Sequence, residues 1–180
     1  EFPPRIPSGT DTSRLVFKNI SIPTVPKGVA VSGTITSYGS DSESVTVQLI
    51  EAGHTEPAYE AIVTGNSVTY SFETVPAGDY TLKVMKKGHA PFTKGITVGS
   101  SSVTENVTVY LIGDVNGDGD VTGKDKILLY RYLAEWENAA STIVSMEAAD
   151  INQDGIVTGK DKILLTRYLS EWSGSEIYFQ

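Results

Sequence analysis

Residues 113–136 and 149–172 are two copies of one segment, offset by 36 residues and identical at 18 of 24 positions. Each copy opens with an acidic, glycine-punctuated loop, DVNGDGDVTGKD or DINQDGIVTGKD, and continues into nearly the same helical pattern, KILLYRYLAEW or KILLTRYLSEW. A close internal repeat constrains the fold more than any other feature of a chain, because one structural unit must serve twice. The six differences are Gly113/Ala149, Val115/Ile151, Gly117/Gln153, Asp120/Ile156, Tyr130/Thr166 and Ala134/Ser170.

The loops carry oxygen-bearing residues at the spacing of an EF-hand calcium loop. Asp114, Asn116 and Asp118 take the first, third and fifth positions, and Gly119 the sixth, where the chain turns sharply. Asp120 offers a backbone carbonyl, Thr122 a ligand through water, and Asp125 a bidentate carboxylate at the twelfth position. Asp150, Asn152, Asp154, Gly155, Ile156, Thr158 and Asp161 repeat those roles. The chemistry needs this spacing because Ca2+ is a hard cation that takes six to eight oxygens at roughly 2.3–2.6 Å, and alternate residues of a tight loop converge on one point. Asp120/Ile156 is the substitution a backbone ligand tolerates. Val121 and Val157, at the eighth position, are expected to anchor the loops in the core. The competing expectation is a pair of helix-capping turns, for which Asp125 and Asp161 are also well placed. Two matches at a fixed interval favour two Ca2+ ions.

Charge supports this. Residues 1–112 carry 8 basic and 10 acidic residues, and residues 113–180 carry 6 basic and 12 acidic ones, which together give the net charge of −8. Nucleic acid is disfavoured as a partner, since phosphate binding needs a basic patch. With no cysteine, disulfides, zinc–cysteine sites and cysteine nucleophiles are all excluded. No run of 18 apolar residues occurs, so no membrane-spanning helix is expected.

In the helical stretches, Leu128, Leu129, Tyr132, Leu133 and Trp136, with Leu164, Leu165, Tyr168, Leu169 and Trp172, form a stripe expected to face the core, tryptophans included. The opposite ridge holds Ile127, Tyr130, Arg131 and Ala134 beside Lys124 and Glu135, copied as Ile163, Thr166, Arg167 and Ser170 beside Lys160 and Glu171. Isoleucine and tyrosine beside arginine suit a partner-binding patch.

Before the repeat, residues 14–111 read as short strands rich in Val, Thr, Ile, Tyr and Phe: RLVFKNISI, VAVSGTIT, SVTVQLIE, AYEAIVT, SVTYSFE, DYTLKVMK, FTKGITV and SVTENVTVYL. Val68, Tyr70 and Phe72 alternate onto one face, as do Tyr80, Leu82 and Val84. An all-β, immunoglobulin-like antiparallel sandwich is expected. VSGTIT followed by SVTYSFETVPAGDYTLKVMKKGHAPF resembles the carboxypeptidase regulatory-like or Cna-B-like sandwich, a fold used mostly as a spacer or stabilising module.

Residues 113–172 resemble a dockerin, a module that plugs bacterial polysaccharide-degrading enzymes or scaffold proteins into cohesins. The resemblance rests on a calcium loop without an entering helix, Asp at its twelfth position, a following helix and a second copy behind the connecting segment 137–149. It implies a cohesin partner, two structural Ca2+, an extracellular, cellulosome-like setting in an anaerobic bacterium, no catalysis, and a monomer when unbound. It also implies cohesin contacts at Gly123, Lys124, Ile127, Arg131 and Glu135, and at Gly159, Lys160, Ile163, Arg167 and Glu171. Tyr130 and Thr166 stand where the two faces would differ. The sandwich would act as an X module that stabilises the dockerin.

The expected organisation is a linker at 1–13, a β-sandwich at 14–112, a dockerin at 113–172 with two EF-hand-like loop–helix repeats, and a tail at 173–180 loosely resembling a protease-cleavage tag. Three alternatives stand beside it. An enzyme would use His54, His89 or a pair among Glu51, Glu56, Glu60 and Glu73. A carbohydrate-binding sandwich would use Tyr38, Tyr59 or Tyr70. A calcium sensor is disfavoured by the absent entering helices and by only two methionines, Met85 and Met146.

Overall fold

The computed structural model describes residues 28–174 and 176–179. The strand expected at 14–22 and the linker at 1–13 lie outside the described residues. Strands β1 (Val29–Thr36), β4 (Ser67–Val75), β7 (Val103–Thr104) and β8 (Val107–Thr108) form one sheet, with β1 between β4 and the β7–β8 edge. Strands β2 (Ser44–Glu51), β3 (Tyr59–Thr64), β5 (Gly78–Lys86) and β6 (Phe92–Val98) form the other, in the order β3-β2-β5-β6.

Alternation builds the core between the sheets. Val31, Ile35, Val45, Val47, Leu49, Leu82 and Val84 are fully buried, and Tyr70, Phe72 and Tyr80 join them. Burial at about 25 cal/mol per Å² of apolar surface makes this face the main stabilising element of the module.

The sandwich is not purely antiparallel. Strands β7 and β8 run parallel to β1, pairing Val31 with Val103 and Ile35 with Val107. A hairpin forces antiparallel pairing, but a strand that arrives by crossing from the other sheet is free of that rule. The single strand expected over 102–111 is also interrupted. Gly33 explains the break: a Cβ there would lie 1.8 Å from the Glu105 carbonyl oxygen, so only glycine lets that backbone press against β1. The Tyr70 hydroxyl donates to the same carbonyl at 2.9 Å. Burial, with the Glu105 charge second, pushes the Tyr70 phenol up to about 12.

The repeat supplies α1 (Gly123–Leu133) and α3 (Gly159–Leu169), which pack on each other. A one-turn helix α2 (Met146–Ala149) enters the second loop, capped by Ser145; this element was not expected from the sequence. Leu129 and Leu165 are fully buried with Val115, Ala148, Ala149 and Ile151 in a second core. Ala90 of the sandwich belongs to that core, and the Ala90 amide donates to the Tyr110 carbonyl at 2.9 Å. The modules therefore meet without a linker. Phe179 stacks on Tyr168 with ring centroids 3.9 Å apart, so the segment set aside as a tag-like tail packs on α3.

Candidate metal loops and docking face

Each loop is organised by two buried carboxylates. Asp114 accepts hydrogen bonds from the amides of Gly117, Asp118 and Gly119 at 2.7, 3.1 and 2.9 Å. Asp125 accepts from Val115, Asn116 and Thr122 amides at 2.9, 3.1 and 2.8 Å. In the second loop Asp150 accepts from Asp154 and Gly155, and Asp161 from Asn152 and Thr158. Asp125 and Asp161 also complete capping boxes with Thr122 and Thr158 at the starts of α1 and α3. The helix-capping role set out as the competing expectation is thus present in both loops, on the same two residues expected at the twelfth position.

Asp114, Asp125 and Asp161 have no exposed surface and Asp150 only 8%. Among the described residues, no lysine, arginine or histidine forms a salt bridge with any of the four; the loop salt bridges join Lys124 to Asp118 and Lys160 to Asp154. Burial, opposed by the Gly119 and Gly117 amides and reinforced by the Asp125 charge, raises the Asp114 carboxyl above its usual range. The exposed Asp118 is lowered, chiefly by the Asp120 amide. Buried charges without a counter-charge are costly, and a bound cation is a physical way to offset them.

Among the described residues no three carboxylate or histidine side chains are assembled into a ready metal cluster. The donor set fits a hard cation nonetheless: every group is oxygen, carboxylates being mixed with Asn116 or Asn152 and with the carbonyls of Asp120 or Ile156. Those last two side chains are exposed, Ile156 at 62%. Gly119 and Gly155 share φ of +91°, the conformation the sixth position demands.

The helices carry the second candidate feature. All six basic residues of 113–180 lie on them: Lys124, Lys126 and Arg131 on α1, Lys160, Lys162 and Arg167 on α3. The only acidic residues within the two helices, Asp125 and Asp161, are buried. The exposed helix surface is therefore cationic in an acidic domain. Ile127 and Ile163 stand half exposed on it, and Gly123 and Gly159 open each helix with free space around them.

The tryptophans depart from expectation: Trp136 is 60% and Trp172 59% exposed. The apolar stripe cannot reach them because the helices end at Leu133 and Leu169. Ala134 and Ser170 cap them, and Glu135 and Glu171 turn left-handed at φ +53° and +54°. The amides of Trp136 and Trp172 then bond back to the carbonyls of Arg131 and Arg167 at 3.1 and 3.0 Å, closing a Schellman motif. This reversal seats each indole under an arginine, Arg131 over Trp136 at 5.4 Å and Arg167 over Trp172 at 5.5 Å. A run of residues ending in Ala-Glu-Trp or Ser-Glu-Trp gives no helix-stop glycine, so nothing in the sequence announced the turn.

Trp136 lines a groove of about 460 Å³ with Ile127, Tyr130, Arg131, Leu133 and Lys162. Tyr130 and Thr166, where the two copies differ, lie side by side. Their hydroxyls meet at 3.0 Å between the helices, and Lys162 lies 4.9 Å from the Tyr130 ring.

Several of the residues considered for other roles are otherwise engaged. Glu60 binds Gln48 and Glu73 binds Ser71, both at 2.6 Å. His89 is buried, with Nε2 accepting from the Tyr38 amide at 3.2 Å. Tyr70 is buried, Tyr59 is half-buried against Phe72, and Tyr38 stacks on Tyr110, so these three tyrosines form no exposed sugar platform.

Residues 26–110 match the second β-sandwich domain of the NOMO1-like BOS complex subunit, and residues 112–170 match the dockerin type I domain. No curated protein matches. The chain is similar to a type II cohesin–X-dockerin complex from Acetivibrio cellulolyticus, an N-terminal interface mutant. That match has 16% identity and TM-score 0.36, covering 78% of this chain and 94% of that one. It is also similar to a Klebsiella pneumoniae 5-hydroxyisourate hydrolase, at 18% identity and TM-score 0.35, over 46% of this chain and 90% of that one. Residues 112–170 thus match the dockerin type I family and follow directly on a β-sandwich.

Proposed function

We propose that the chain is a calcium-dependent docking module: its dockerin binds a cohesin and anchors a parent protein in an extracellular, cellulosome-like polysaccharide-degrading complex. Each loop holds one Ca2+, two in all, through Asp114, Asn116, Asp118, Asp120, Thr122 and Asp125 and through Asp150, Asn152, Asp154, Ile156, Thr158 and Asp161. The ion neutralises the buried carboxylates and fixes the start of the helix behind it. The observation that carries this reading is the pairing of two such loops with two cationic helix faces.

The contact face consists of Gly123, Lys124, Ile127, Tyr130, Arg131 and Glu135, and of Gly159, Lys160, Ile163, Thr166, Arg167 and Glu171, extended by Trp136 and Trp172. Aromatic and arginine side chains dominate binding energy at such faces. The complementary cohesin surface is apolar at its centre and acidic around it. The duplicated faces let a cohesin dock in two orientations related by the pseudo-two-fold axis between α1 and α3. Neither the sandwich nor the dockerin performs catalysis in this reading.

Calorimetry against a panel of cohesins tests it, run with calcium and again with chelator. Binding to at least one cohesin in calcium, lost with chelator, is expected; calcium-independent binding, or none to any cohesin, overturns it.

A further inference from the structure

The two loops share their sequence but not their surroundings. Above Gly119 sits the ring of Tyr38, from the sandwich: a Cβ on Gly119 would lie 2.7 Å from its Cδ1 and 3.1 Å from its Cε1. A Cβ on Gly155, at the equivalent point of the second loop, would meet nothing within 4 Å. The same contrast explains Gly117/Gln153. A Cβ on Gly117 would crowd Val144 at 3.0 Å and Tyr110 at 3.1 Å, whereas Gln153 stands exposed. Tyr110 in turn stacks on Tyr38, with centroids 6.0 Å apart and planes 24° apart.

Tyr38 is also rigidly mounted. Its amide donates to His89 Nε2 at 3.2 Å, and its carbonyl accepts from the buried Lys86 ammonium at 2.7 Å. The backbone that carries the ring is therefore tied into the sandwich. A loop that closes around an ion loses backbone freedom, and a rigid surface already seated on its sharpest turn reduces that loss.

We propose that Tyr38 makes the sandwich a lid on the first loop, so that the two calcium sites are unequal and the covered one binds its ion more tightly, by about tenfold. This rests on reading both loops as calcium sites. The second loop, open to solvent, fills last and empties first. Because each ion organises the start of one helix, the α1 face is complete at calcium levels where the α3 face is not. The coupling is reciprocal, so calcium in the first loop tightens the junction between the modules.

The test is a calcium-buffered titration of the full, 15N-labelled chain, following the amide resonances of Gly119 and Gly155 as separate reporters. The Gly119 midpoint is expected at about tenfold lower free calcium. Tyr38→Ala should bring it to the Gly155 midpoint and leave Gly155 in place, while Tyr38→Phe keeps the difference. Amides of the sandwich core, such as Leu82, report whether each variant stays folded. Coincident midpoints in the unmodified chain, or Gly155 responding first, overturn the proposal with no variant needed. Equal shifts of both glycines in a folded Tyr38→Ala chain overturn it as well. A chain in which neither glycine responds to calcium refutes the calcium reading itself, and this proposal with it.

Discussion

The Tyr130 hydroxyl lies 3.0 Å from the Thr166 hydroxyl, and these two residues are the same position of the repeat. A position that meets its own copy lies on the pseudo-two-fold axis, where two identical large side chains would compete for one space. The pair resolves this with one ring and one small side chain, and Thr166 Oγ1 also contacts its own helix at the Lys162 carbonyl, 2.7 Å away. Thr166→Tyr should therefore overpack the crossing and cost about 1–3 kcal/mol of stability. Tyr130→Phe, which deletes one exposed hydrogen bond, should cost about 1 kcal/mol or less. Chemical denaturation in saturating calcium separates the two.

The indoles predict a split between stability and binding. Trp136 and Trp172 are mostly exposed, so Trp136→Ala should change stability by about 0.5 kcal/mol or less. Cohesin affinity should fall by more than 1 kcal/mol when Trp136→Ala is combined with Trp172→Ala, because each indole anchors one of the two faces. Calorimetry beside a thermal melt checks both halves.

The duplicated faces predict redundancy. Lys124, Ile127 and Arg131 replaced together by alanine should leave cohesin binding through the second face, and the same holds for Lys160, Ile163 and Arg167. Replacing all six should abolish it. Loss of binding from either triple alone refutes interchangeable orientations.

The equivalent glycines should respond unequally to one added methyl. Gly155→Ala meets only the cost of φ +91°, of order 1 kcal/mol. Gly119→Ala carries that cost and also drives Cβ into Tyr38, so its thermal midpoint should fall further.

His89 gives the junction an acid sensitivity. Its Nε2 accepts the Tyr38 amide proton, and burial holds its pKa below the ordinary 6.5. The unfolded chain therefore binds the proton more readily, so stability is retained above about pH 6.5 and falls as the pH drops through the depressed folded value. In saturating calcium, melting at pH 7.5 and 5.5 should differ more for the unmodified chain than for His89→Gln.

Much of this was present in the sequence. Alternation of Val, Tyr and Phe placed the sandwich core, because a strand's period of two needs no partner to be read. The loop spacing placed Asp114, Asp125 and their copies together, because these carboxylates and the amides they accept from lie within one short segment. Lys124, Ile127 and Arg131 share a face by helical geometry alone.

Relations between segments far apart in the chain were decided only by the tertiary structure. Glu105 pressing on Gly33, and β7 running parallel to β1, depend on where a crossing strand lands. The exposure of Trp136 depends on a left-handed Glu135 that sequence preference does not favour. Tyr38 over Gly119 joins residues 81 positions apart, and Tyr130 against Thr166 joins two halves of a repeat. A repeat specifies two equal units; packing one of them under the sandwich, and bringing both to a common axis, is what makes them different.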